Sequence, residues 1–282
     1  GEAGSVGSLL VSANRCRNLG LAANVEGTSY AAVQLIRVER GDFCDNLIAE
    51  VARAAVVSPG ITGLRAAGIG QLRINGNRFL GIGPDRSSGE MAAIQILPPF
   101  DRVAIDSNQV ERIGDDEQQK PVNAVWHAIQ IAPAALNTSG YYSPAYMVPA
   151  PDSAYLLSAN RAYAIAQRPA DLAIQNNHLR AHLSSVPLSF CSALDNCLFS
   201  GNHCETIGAA NDGAQSGDLR ARTLNASQNR LQGQGDHDTL HLHPNPQVKQ
   251  AIVIGNTSTG NIRVINGAPV PNDMTLTNII GF

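Results

Sequence analysis

The chain has 282 residues and a formal net charge of −3, a balance that excludes general nucleic-acid binding, which needs a concentrated basic surface to displace counterions. Twenty-six glycines, 15 prolines and only 15% charged residues describe many turns between short strands. Its apolar runs are broken by Gly, Asn or Arg well short of the roughly 18 residues that cross a bilayer, so neither nucleic acid nor membrane is expected as a partner.

In chain order, nine segments share one frame around an asparagine: LLVSANRC (Asn14), GDFCDNLI (Asn46), LRINGNRF (Asn77), VAIDSNQV (Asn108), YLLSANRA (Asn160), LAIQNNHL (Asn177), CLFSGNHC (Asn202), LNASQNRL (Asn229) and AIVIGNTS (Asn256). The third residue before each Asn is apolar, and so is the fifth, with Gly41 the exception. That period of two is the mark of a strand with one face buried. The second residue after the Asn re-enters the core in most segments, and Leu19, Val51, Ile82, Ile113, Ile165 and Ile207 supply a further inward position at +5. The Asn is read as the turn residue, because its short amide tolerates left-handed backbone angles. Stacking the segments then sets one amide above the next as a ladder.

Successive asparagines are 32, 31, 31, 52, 17, 25, 27 and 27 residues apart. A fixed turn with coils of variable length predicts a parallel β-helix, whose loops lengthen at corners without disturbing the stacked strands. A second strand is legible as AAVQL at 31–35, AAIQI at 92–96 and HAIQI at 127–131, and DTLHLH at 238–243 is its late counterpart. The step from Asn160 to Asn177 is short for a full turn and is where the register is weakest. The expected fold is an all-β, single-stranded right-handed parallel β-helix, a β-solenoid of about nine or ten coils, as one domain over 1–282. In these recurring strands the chain resembles the pectin-lyase-like superfamily of parallel β-helix proteins, and the resemblance implies architecture only. By analogy of fold it also favours an extracellular or particle-associated location.

The frame sorts the remaining chemistry. Cys16 and Cys204 at +2, and Cys197 at −5, fall on core positions and read as buried thiols, with a disulfide as the other reading. One residue after the Asn stand Arg15, Arg78, Arg161 and Arg230, with His178 and His203 between them. Alternation turns this position outward, so stacking lines an edge that either clasps carboxylates and sulfates of a polysaccharide or pairs with neighbouring coils. The 52-residue step carries a Tyr- and Pro-rich corner loop at 137–154 with Tyr141, Tyr142 and Tyr146, preceded by the single tryptophan, Trp126. These aromatic residues suit a sugar ring or a protein partner. Asp236 and Asp238 with His241 and His243 form a weak candidate metal site, against the plainer reading of a solvated strand face. No cofactor is expected.

For catalysis, Asp101, Asp106, Asp115, Asp116 and Glu117 cluster between two coils and His127 follows. Ile-Gly-Asp-Asp at 113–116 is similar to the paired-aspartate segment of polygalacturonase-like members, whose Asn-x-Asp, Gly-His-Gly and Arg-Ile-Lys patterns are missing. The catalytic set is therefore unassigned. The expected function is a non-catalytic scaffold or binding module presenting an elongated surface to a polysaccharide or to partner subunits, with self-association or a larger assembly as a further expectation. A polysaccharide hydrolase or lyase with acids from 101–117 is the alternative, and a phage-tail or surface-appendage component the second.

Overall fold

A computed structural model describes residues 6–20, 30–53, 60–84, 90–112, 125–131, 171–182, 188–189, 196–207, 218–221, 223–232, 239–244, 250–260, 262–264 and 275–280. The first coil is β1 (Val6–Ser12) and β2 (Arg15–Leu19). Three fuller coils follow as β3 (Tyr30–Cys44) with β4 (Leu47–Val51), β5 (Gly60–Asn75) with β6 (Arg78–Ile82), and β7 (Glu90–Asp106) with β8 (Gln109–Glu111). Next come β9 (Val125–Ile131), β10 (Asp171–Gln175), β11 (His178–His182), β12 (Leu188–Ser189), β13 (Asn196–Ser200) and β14 (His203–Ile207). The chain closes with β15 (Asp218–Ala221), β16 (Thr223–Ser227), β17 (Arg230–Gln232), β18 (Leu240–Pro244), β19 (Gln250–Ser258), β20 (Ile262–Val264) and β21 (Thr275–Ile280).

Every ladder among these strands is parallel, and the register is that of a solenoid. The wall before the asparagine corner stacks Val11, Phe43, Ile74, Ile105, Ile174, Phe199, Ala226 and Val253 in one column. All but Val11 in that end coil are buried. After the corner, Ile48, Phe79, Val110, Leu179, Cys204 and Leu231 stack and are buried in turn. Burying each large apolar side chain in such a column contributes about 1.5–3 kcal/mol, and the Phe43 and Phe79 rings stack at 6.4 Å across the corner. The glycine exception at −5 has a cause: a Cβ on Gly41 would lie 3.0 Å from Leu72 Cδ1 of the next coil.

The first wall contains the strands read at 31–35, 92–96 and 127–131, and also 60–67 of β5, where Gly63 and Arg65 replace the Ala and Gln of the others. Val33, Leu64, Ile94 and Ile129 are in register, and so are Gln34, Arg65, Gln95 and Gln130. The latter column is a second polar ladder, with Arg65 Nε donating to Gln95 Oε1 at 2.8 Å and Gln95 Nε2 to Gln130 Oε1 at 2.6 Å. The LHLH part of that segment, 240–243, does enter a strand, β18, with Leu240 and Leu242 fully buried. It pairs with β15 and β20 in a separate three-stranded sheet.

The asparagines form a continuous hydrogen-bonded ladder. Each donates its backbone N–H and its Nδ2 to the Oδ1 of the asparagine one coil on: Asn14 to Asn46, then Asn77, Asn108, Asn177, Asn202, Asn229 and Asn256, all at 2.8–3.0 Å. The second amide hydrogen goes back to the preceding coil, as from Asn77 to Phe43 O at 2.8 Å and from Asn177 to Ile105 O at 2.9 Å. From Asn46 to Asn229 each ladder side chain therefore spends both amide hydrogens and its oxygen on neighbouring coils. From Asn46 to Asn256 the ladder asparagines are at most 2% exposed.

Three features correct the expectation. The left-handed residue is the one before the asparagine, with positive φ at Ala13, Asp45, Gly76, Ser107, Asn176, Gly201, Gln228 and Gly255. The asparagine itself serves as the buried bonding group. Asn108 bonds directly to Asn177, 69 residues on, so the ladder takes no rung between them, and Asn160 itself lies outside the described residues. The coil count also departs from nine or ten: the solenoid has about four turns, and only the steps Asn14 to Asn46, Asn46 to Asn77 and Asn77 to Asn108 hold to 31 or 32 residues.

Candidate functional site

Two outward surfaces collect charge. On the wall before the corner, side chains alternate with the core column and stack across coils, so Arg40 sits over Gln71 and Arg102, and Asp42 over Arg73 and Ala104. A shallow groove of about 250 Å³ opens there, lined by Arg40, Asp42, Gln71, Arg73 and Arg102 with Gly41 and Leu72 at its floor. Arg102 is well exposed and its Nη2 stands 3.7 Å from Asp171 Oδ2. Three guanidinium groups against Asp42 and Asp171 give the groove a net cationic balance. The groove arises from parity: a strand that buries Leu72 and Ile74 must expose Gln71 and Arg73.

The second surface is the wall after the corner. The +1 column runs Arg15, Leu47, Arg78, Gln109, His178, His203, Arg230 and Thr257. Arg15, Arg78 and Arg230 are exposed but separated by other residue types, and Arg78 Nε donates to Gln109 Oε1 at 3.1 Å. The arginines are thus separate points along the solenoid and not a continuous row. Arg161 lies outside the described residues.

Between Arg78 and Arg230 the imidazoles of His178 and His203 stack with centroids 4.8 Å apart and planes 3° from parallel. Both face Glu205, two residues beyond His203 on the same pleat of β14, with Nε2–Oε1 separations of 3.6 Å and 3.2 Å. Arg180 bridges two carboxylates, its Nε 3.4 Å from Glu205 Oε2 and its Nη1 3.5 Å from Glu111 Oε1. Desolvation lowers the His203 pKa, with His178 and Arg230 acting the same way against Glu205, and the neutral ring is favoured. His178, His203 and Glu205 each offer one ligand atom, all within 4.8 Å of one another. The frame placed both histidines outward; Glu205 escaped notice because the +3 column changes identity at every coil.

The other sequence candidates disperse. Trp126 is fully buried, its indole N–H donating to Ile82 O at 2.9 Å with Arg112 over the ring. His127 is buried beside it. Asp101 and Asp106 are five residues apart on β7 and both half-buried. Asp106 is engaged at the corner, with Oδ1 accepting from Asn176 Nδ2 at 3.0 Å. Asp115, Asp116, Glu117, the loop at 137–154 with Tyr141, Tyr142 and Tyr146, and the pair Asp236 and Asp238 lie outside the described residues. His241 and His243 are placed by backbone alone, opposite Asp218 and Arg220 on β15. Cys16, Cys44, Cys197 and Cys204 are free thiols. Burial pushes Cys197 and Cys204 up to about 12.

No family model, curated protein or solved structure matches the chain.

Proposed function

We propose that this β-solenoid is a non-catalytic binding module for an extended anionic polysaccharide, held along the outer wall before the asparagine corner. The observation that carries the reading is the groove in which Arg40, Arg73 and Arg102 converge from three successive coils. Guanidinium groups bind carboxylates and sulfates in bidentate fashion, and a surface repeating coil by coil suits a ligand that repeats sugar by sugar. Arg15, Arg78 and Arg230 add cationic points on the adjoining wall, and the tyrosines at 141, 142 and 146 are candidates for sugar stacking.

Titration with polygalacturonate, with an uncharged glucan as control, tests the reading. Binding to the acidic polymer alone is expected, weakening with added salt and falling at least about tenfold, or 1.4 kcal/mol, in Arg40→Ser/Arg73→Ser. Undiminished binding by that variant, or equal binding of the neutral glucan, overturns it. Release of reducing ends or unsaturated sugars, abolished by Asp115→Asn with Asp116→Asn, establishes the polysaccharide-active alternative instead. Equilibrium sedimentation as a higher oligomer points to the assembly reading, a tail or appendage part.

A further inference from the structure

We propose that His178, His203 and Glu205 form a binding site for one divalent transition metal of the zinc type. The three residues come from neighbouring coils, two from one strand and one from the next, and the parallel register of β11 and β14 holds them side by side. His203 and Glu205 share a pleat because they are two residues apart. Zinc bonds of about 2.0–2.2 Å to nitrogen and oxygen put neighbouring donors of a tetrahedral site roughly 3.3–3.5 Å apart. The two imidazole–carboxylate separations, 3.2 Å and 3.6 Å, bracket that edge.

The carboxylate is already divided between two duties. Its Oε2 faces the Arg180 guanidinium, while Oε1 faces both imidazoles. An outer group that fixes a ligand's orientation in this way is a regular part of metal sites. His203 Nε2 is buried and makes no hydrogen bond, so a donor atom is held without a proper partner. Such an atom costs stability unless something satisfies it. Two imidazoles and a carboxylate suit zinc, cobalt or nickel better than calcium or magnesium, which take oxygen ligands. The parallel rings have to turn toward each other to bring both lone pairs onto one ion, and the 46% exposure of the His178 side chain leaves it free to do so. Water completes the coordination. The proposal does not depend on the polysaccharide reading.

Cobalt chloride titrated into the full chain is the test. The visible absorption of nitrogen- and oxygen-ligated cobalt should grow to saturation at one equivalent and be displaced by zinc. His178→Asn and Glu205→Gln, which alter exposed and half-buried groups, should lose the band while keeping the parent far-ultraviolet circular dichroism. His241→Ala/His243→Ala should retain it. No saturable band, a band that survives in His178→Asn and Glu205→Gln, or one lost with His241 and His243 overturns the assignment.

Discussion

A single amide carries much of the corner. Replacing Asn77 by Ala strips the Asn46 N–H and Nδ2 of their acceptor and the Phe43 carbonyl of its donor, all in a buried setting. Each orphaned buried group costs about 1–3 kcal/mol, so Asn77→Ala is expected to lose at least about 3 kcal/mol in urea unfolding. Asn14→Ala, at the exposed end of the ladder, is expected to lose less than about 1 kcal/mol. The preceding residue obeys a different rule. Gly76 has φ +67° and a Cβ there would come 2.6 Å from Asp45 Oδ1, so Gly76→Ala should destabilise by about 1 kcal/mol or more. Gln228 sits in the same left-handed column at φ 56°, and Gln228→Gly should leave the denaturation midpoint unchanged or raised. Composition blurred these roles: the asparagine is the frame's constant, whereas the left-handed position holds Ala, Asp, Gly, Ser, Asn or Gln. Constancy marked the buried bonding group, and the backbone requirement was met by residues too varied to signal it.

Strands read well where one face is buried. Cys197 on β13 and Cys204 on β14 were placed in the core by parity, and both are. Their thiols, pushed up to about 12 by burial, are expected to resist a thiol-specific reagent at pH 8 in the native chain and to react once unfolded, as peptide mapping would show. Folding holds these groups neutral. Their contribution to stability is therefore complete below the ordinary thiol value of 9.0 and declines as pH rises from there toward about 12. Chemical unfolding midpoints should accordingly fall between pH 9 and 10.5, and Cys197→Ala/Cys204→Ala should flatten that fall. Less legible was 60–67, GITGLRAA, which joins the first wall with Gly63 and Arg65 where its neighbours carry Ala and Gln. Glu205 was hidden for a related reason, since an outward column is free to vary and only the register reveals what it brings together.

Across the whole molecule, the solenoid's rule is that sequence distance does not matter while the corner repeats. Thirty-one residues separate Asn77 from Asn108 and 69 separate Asn108 from Asn177, yet the two bonded contacts have the same form and length. Spacing alone admitted Asn160 as a rung, because YLLSANRA fits the frame at every core position. What excludes it is stacking, a property of neighbours that no single segment displays. A double-mutant cycle puts this directly to the test. Asn108→Ala and Asn177→Ala, in contact, should show a coupling of about 1 kcal/mol or more in urea unfolding. Asn108→Ala and Asn160→Ala, which the ladder does not link, should add within about 0.5 kcal/mol. Additivity for Asn108 and Asn177, with coupling transferred to Asn160, would contradict the ladder and the register built upon it.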